Sequence, residues 1–260
     1  MNQNKLGSFD RFGYSWERFS KITSDQLNQF EGWTALIPKA SWAGKSVLDV
    51  GCGAGRNSYC ILINGAESCT SIDLDDRSLS KAKANLSVFN NSTIINLSIY
   101  ESTFINKFDI AVCIGVLHHL SNPKFALQKM HQAVKEGGTV LIWVYGCDNL
   151  NWYIKILNPL RKYLFSRLPL PIVYFLAYIP SSILYFYTRL VNPKIGYLKN
   201  LKSYKFNHIH HILFDQMIPI IANYWTGNEV INLLEDCGLS NIKMINVNDV
   251  SWCAMGTKDN

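Results

Sequence analysis

No pair of cysteines in this 260-residue sequence is spaced CxxC, and the seven cysteines are scattered and odd in number. That pattern fits reduced core thiols better than a disulfide framework or a zinc site, and no structural metal is expected. Charge is also sparse. Only 17% of residues are charged against 48% hydrophobic, which excludes a disordered chain. The opening "MNQNKLGSFDRFGYSWERF" has no positive region followed by an apolar run, so no signal peptide is expected and the cytoplasm is the default compartment. Internal repeats and low-complexity tracts are absent. From Leu168 to Thr188 there is no charged side chain at all, a stretch long enough to cross a bilayer. The net charge of +6 gathers largely between Lys155 and Lys205, where it suits anionic headgroups, phosphorylated substrates or simple solvation.

What is present is alternation. "SDQLNQFEGWTALIP" sets Leu27, Phe30, Thr34 and Ile37 on one helical stripe, with Ser24 or Asp25 as cap. "KSVLDVG", "ESCTSIDL", "STIINLSIY", "KFDIAVCIGV" and "TVLIWVYG" read as buried strands. Helices are expected between them, at "RNSYCILINGA", "DRSLSKAKANLSVFN" and "NPKFALQKMHQAVKEGG". Apolar strands alternating with helices imply a parallel sheet covered on both faces. Near the end, "TGNEVINLLEDCGL" is a helix, and "NIKMINVND" with "SWCAMGTK" forms an antiparallel strand pair.

The residues that carry most chemistry are "VLDVGCGAG", Val47 to Gly55, at the turn from first strand to first helix. Glycines there let a ligand approach the backbone at a helix N-terminus. The spacing is GxGxG, with Arg56 where a dinucleotide fingerprint would place its last glycine. Asp49 just ahead of the turn would repel a pyrophosphate and welcome an ammonium or sulfonium group, so the electrostatics favour a cationic nucleoside.

This stretch resembles motif I of the class I S-adenosylmethionine-dependent methyltransferases, from about Ser46 through Gly146 and again at the C-terminal strands. The resemblance implies a doubly wound, Rossmann-like α/β fold with a seven-stranded sheet, a C-terminal antiparallel strand and an inserted helical lid. It implies S-adenosylmethionine as cofactor, its methionine part wrapped by Gly51, Cys52, Gly53 and Gly55, its amino group held by Asp49 and its ribose by Asp73. Leu74 would flank the adenine, and Ile114 would face the cofactor. Ser98 stands where many relatives carry an acid for the adenine amino group, a departure that weakens that contact. Asp73 has a plainer alternative as a helix cap.

"FDIAVCIGVLHHLSNP" is similar to the fourth-strand motif of small-molecule methyltransferases, the ubiquinone/menaquinone-biosynthesis-like, type 11/12 group. That likeness places His118, His119 and Tyr145 at the cleft. His119 becomes a candidate base, with packing as the alternative. The clamp used by enzymes that methylate exocyclic amines, an Asp, Asn or Ser followed by Pro-Pro and an aromatic residue, is replaced by "IGVL", so nucleic acid is not the expected partner. "NHIHHILFDQMIP" resembles a segment of bacterial methyltransferases and makes His211 and Asp215 further catalytic candidates, or parts of a structural turn. "FGYSWERF" resembles an aromatic segment packed over the cofactor, with Tyr14 and Trp16 as ligand contacts.

The expected division is an N-terminal helical cap at 1–42, a cofactor core at 43–146, an inserted helical region at 147–225 and a closing helix with strands at 226–260. A single membrane crossing inside the insertion would split one sheet across a bilayer, so a lone span is excluded if the sheet forms. Pro169, Pro171 and Pro180 should break the stretch into shorter helices or a hairpin, and Asn158-Pro159 reads as a helix start. The cover then takes an apolar substrate, a second subunit in a homodimer, or the surface of the inner membrane. The expected activity is methyl transfer to a small or amphipathic acceptor, such as a glycan, secondary metabolite or lipid-like molecule, at oxygen. Alternatives are a quinone or polyprenyl acceptor at the membrane surface, a small thiol, and a non-catalytic cofactor-binding partner protein.

Overall fold

Five runs rich in apolar residues pair side by side, the four inner ones burying both faces and the edge run only partly covered. In the computed structural model, which describes residues 9–148 and 151–259, these are β1 (Ser46–Val50), β2 (Ser68–Asp73), β3 (Ser92–Asn96), β4 (Phe108–Ile114) and β5 (Val134–Tyr145). They run parallel, and β7 (Ser251–Lys258) lies antiparallel between β5 and β6 (Leu239–Val247), giving the order β3-β2-β1-β4-β5-β7-β6. The sheet is therefore seven-stranded and Rossmann-like, with its order reversing between β1 and β4. The period of two along each strand splits the core. Leu48, Ala111 and Cys113 pack on one side with Leu127 and Met130 of α5 (Pro123–Ala133). Val47, Ile110 and Val112 pack on the other with Ile61 of α3 (Arg56–Ile63).

The remaining helices of the sheet are α4 (Asp76–Leu86), capped by Asp75 accepting from Ser78 N, and α11 (Gly227–Glu235), capped by Thr226. α1 (Phe9–Arg18) and α2 (Ser24–Trp33) precede the sheet. The first eight residues of the expected 1–42 cap lie outside the described residues. Thr23, rather than Ser24 or Asp25, caps α2: it is extended, and its N–H donates to Gln26 Oε1 at 2.9 Å. α5 ends at Ala133, earlier than its glycines suggest, because Val134 turns extended and pairs with Phe108. Gly137, at φ 70, falls in the irregular part of that pairing.

The insertion is helical: α6 (Asn151–Tyr163), α7 (Leu170–Leu176), α8 (Tyr178–Leu190), α9 (Gly196–Ser203) and α10 (Phe206–Met217). One proline expectation is corrected, and the other is met as two shorter helices rather than a hairpin. Pro159 lies inside α6, where the Asn158 side chain is engaged by Arg161 Nη2. Pro171 and Pro180 sit in the first turns of α7 and α8, where a missing N–H costs little. Backbone bonds from Ala177 N to Val173 O and from Ser181 N to Ala177 O carry the chain across the junction. The stretch is thus one apolar rod of 21 residues, Leu170–Leu190, with a single interruption, and it forms no hairpin.

Candidate active site

The glycine loop follows β1 at the carboxyl edge. Gly51 and Gly53 have φ of +74° and +54°, a region L side chains rarely adopt. Space forbids a side chain as well: a Cβ on Gly51 would lie 2.5 Å from Val116 Cγ2, and one on Gly53 would lie 2.7 Å from the Trp16 indole. Trp16 of α1 therefore lies directly on the loop, and the Arg56 guanidinium sits 4.6 Å from its ring centre. Asp73, at the end of β2, ties the loop to the sheet. Its Oδ2 accepts from Gly53 N at 2.8 Å, and its Oδ1 accepts from Leu74 N at 2.7 Å. Burial raises the carboxyl's pKa, opposed by these backbone donors.

A cavity of about 520 Å³ opens beside this loop. Its wall brings together many of the expected residues: Gly51, Cys52, Asp73, Leu74, Ser98 and Ile114 at one end, and Trp16, His119, Tyr145, His211 and Asp215 toward the insertion. Ser98 is buried, and its hydroxyl accepts from Tyr100 N at 3.2 Å. Gly53 and Gly55 shape the loop without lining the cavity. Among the described residues no group of three or more His, Cys, Asp or Glu is gathered as a metal site.

Three expected contacts are placed elsewhere. Asp49 is fully buried behind the loop, since the alternation of β1 turns it toward α3, where its Oδ2 accepts from Ser58 Oγ at 2.5 Å. Burial raises its pKa to about 6, against the Ser58 hydrogen bond, and its Oδ1 lacks a partner. His118 is fully buried against the Tyr145 ring at 3.8 Å and does not line the cavity. Tyr14 faces α10, 6.1 Å from Phe214, with Arg18 stacked 3.8 Å over its ring. α1 presents only one face to the loop, and Trp16 occupies it.

His119 terminates the turn after β4. Its Nδ1 lies 2.7 Å from the Ile221 carbonyl, and its pKa is depressed to about 4, by burial first and by the charge of Arg161. His211 and Asp215 do a different job. His211 Nε2 lies 2.9 Å from Asp215 Oδ2, close enough for an ion pair but off the line of a good hydrogen bond. The His211 ring stacks on Phe19 at 4.3 Å, and Asp215 Oδ1 accepts from Ser15 Oγ at 2.5 Å. Burial opposes ionisation of Asp215, but His211, Ser15 and Arg56 together hold its pKa below the usual value. The pair fastens α10 to the N-terminal segment over the glycine loop.

Some wall residues had no signal in sequence. Trp143 and Tyr224 line the cavity beside Phe12 of the expected aromatic segment, and Arg161 spans from α6 to the Pro219 and Ile220 carbonyls. Those contacts join elements far apart in the chain, so no local pattern encodes them. Arg56 was visible beside the glycines, but its stacking on Trp16 was not.

Residues 48–142 match the methyltransferase domain family. Over 179 residues the chain is 29% identical to a ubiquinone biosynthesis O-methyltransferase of Azotobacter vinelandii, covering 64% of this chain and 72% of that protein. It is 34% identical over 133 residues to the protein of the same name in Nitrosospira multiformis, covering 50% and 54%. In fold it is similar to a SAM-dependent methyltransferase of Thermotoga maritima, with a TM-score of 0.56 at 11% identity over 95% of this chain and 100% of the other. The Burkholderia thailandensis 1,6-didemethyltoxoflavin-N1-methyltransferase, solved with S-adenosylhomocysteine, gives 0.54 at 14% identity over 89% and 78%. With the glycine loop, the Asp73 carboxylate and the seven-stranded order, these likenesses show that residues 48–142 form a methyltransferase domain of the class I S-adenosylmethionine-dependent type.

Proposed function

We propose that the protein methylates a hydroxyl oxygen on an aromatic or lipid-like acceptor, with His119 as general base. The observation that carries this reading is the bond between His119 Nδ1 and the Ile221 carbonyl. A carbonyl can only accept, so Nδ1 holds the ring proton and Nε2 keeps its lone pair. At a pKa of about 4 the ring is neutral at pH 7, which is the base form. A base this weak takes the proton late, once attack on carbon has made the oxygen acidic.

The loop and Asp73 suit the cofactor: close backbone approach at Gly51, and a carboxylate for ribose hydroxyls at the wall. When bound, S-adenosylmethionine supplies an electrophilic methyl carbon. The chain's residues orient the acceptor and exclude water. Tyr145 and Tyr224 stack at 5.6 Å, and with Phe12, Leu184 and Ile212 they give apolar walls that fit a ring or an alkyl chain better than a sugar. We read 43–146 with 226–260 as the cofactor core and 147–225 as the acceptor lid. The unpaired cysteines suit a reducing cytoplasm.

The relatives' names favour oxygen as the acceptor atom and favour, as a second reading, a polyprenyl quinone precursor as the acceptor. The test is His119→Gln. Cofactor affinity by calorimetry should be kept while turnover falls about 10²–10⁴-fold. Unchanged turnover would remove His119 from the reaction.

A further inference from the structure

We propose that the outer face of α7 and α8 is a docking surface for an anionic lipid bilayer, on which the protein rests without crossing. The two helices carry Ile172, Phe175, Ile179, Ile183, Phe186 and Leu190, spaced by three or four residues on one stripe. These side chains are 47%, 69%, 62%, 66%, 60% and 83% exposed. The rod's mean hydropathy is 1.5, yet only 17% of its most apolar window is buried. Single exposed apolar residues are ordinary, but a continuous stripe along about 31 Å of helix is not.

The opposite face fixes the rod in place. Val173, Ala177, Ser181 and Thr188 are fully buried, and Val173 and Ala177 pack with Phe214 of α10. A crossing orientation would strip that face from the protein, so the rod can only lie flat, its apolar stripe at the headgroup and acyl boundary.

Charge selects the occupant. Residues 149–214 contain no aspartate or glutamate. Lys162 and Arg167 precede the rod and Lys194 follows it, all exposed, with Lys199, Lys202 and Lys205 exposed beyond. A second copy of the chain on this face would set cations against the same cations. An anionic headgroup layer would meet them with opposite charge and receive the stripe between. Leu184 lines the cavity while its neighbour Ile183 is 66% exposed, so one helix separates the candidate active site from the proposed lipid. The surface does not depend on which acceptor is methylated.

The test is co-sedimentation of the full chain with vesicles of phosphatidylcholine alone and of phosphatidylcholine with about one-third phosphatidylglycerol. Binding to the anionic vesicles, weakened by salt, is expected. The double substitution Phe175→Asp with Ile183→Asp should lower it about tenfold or more, as should Lys162→Glu with Arg167→Glu. Both positions of the first pair are exposed, and retained cofactor affinity would establish that the variant is folded. Failure to bind either vesicle would overturn the proposal. So would equal binding to both, or a stable dimer in sedimentation that the Asp pair dissociates.

Discussion

The sheet and the insertion use apolar residues in opposite ways. In β1, β4 and β5 nearly every apolar side chain is sealed, with Leu48, Val112 and Leu141 wholly buried, whereas α7 and α8 bury one narrow face and leave Phe175 and Leu190 mostly exposed. Hydrophobicity alone therefore does not say where a segment packs. What differs is the neighbourhood: a parallel strand gains partners on both sides and both faces, while a helix laid on a domain has one supported side.

Four expectations bear on that contrast, from the largest effect to the smallest. Leu127→Ala removes a fully buried side chain between α5 and the sheet. It should cost about 2–5 kcal/mol in denaturant unfolding, and a loss under 1 kcal/mol would mean the sheet's core is looser than described.

Acid should act on the seam between the two regions, where His119 of the sheet holds Ile221. The folded pKa of about 4 lies below the ordinary 6.5, so the unfolded chain takes the proton first. The stabilisation is complete above pH 6.5 and is lost as the pH falls from there toward 4, amounting to about 3 kcal/mol. His208 of α10, depressed to about 3 chiefly by burial, acts in the same direction. Unfolding curves that do not move between pH 7 and 4.5 would contradict this.

Gly51→Ala places a methyl group 2.5 Å from Val116 Cγ2 at φ +74°. A strain of about 1–3 kcal/mol should weaken cofactor binding roughly 5–150-fold in calorimetry. At the other extreme, Phe175→Ser on the exposed stripe should shift stability by less than about 0.5 kcal/mol in lipid-free solution. A large loss there would mean that the stripe is covered.

The same contrast explains what could be read in the sequence. The strand segments, the glycine loop and the position of Asp73 were legible because each is local: an apolar run, a turn that only glycine suits, an acid at a strand end. Asp49 misled because proximity in sequence hid the alternation that turns it behind the loop toward Ser58. The contact on which the proposed role of His119 rests, with Ile221, lies 102 residues away in the chain. The insertion's helices were legible as apolar and basic, and the prolines as marks of two shorter helices, but Pro159, read as a helix start, falls within α6. Which face of the rod turns inward depends on α10, which no local pattern names.

The central claim is methyl transfer to oxygen on an apolar acceptor. Its most direct test supplies methyl-labelled S-adenosylmethionine with a bacterial lipid extract and identifies the labelled product by mass spectrometry. A label recovered as an O-methyl ether in the lipid fraction, and lost with His119→Gln, is the predicted result. A label on nitrogen or sulfur, or only in the water-soluble fraction, would contradict it.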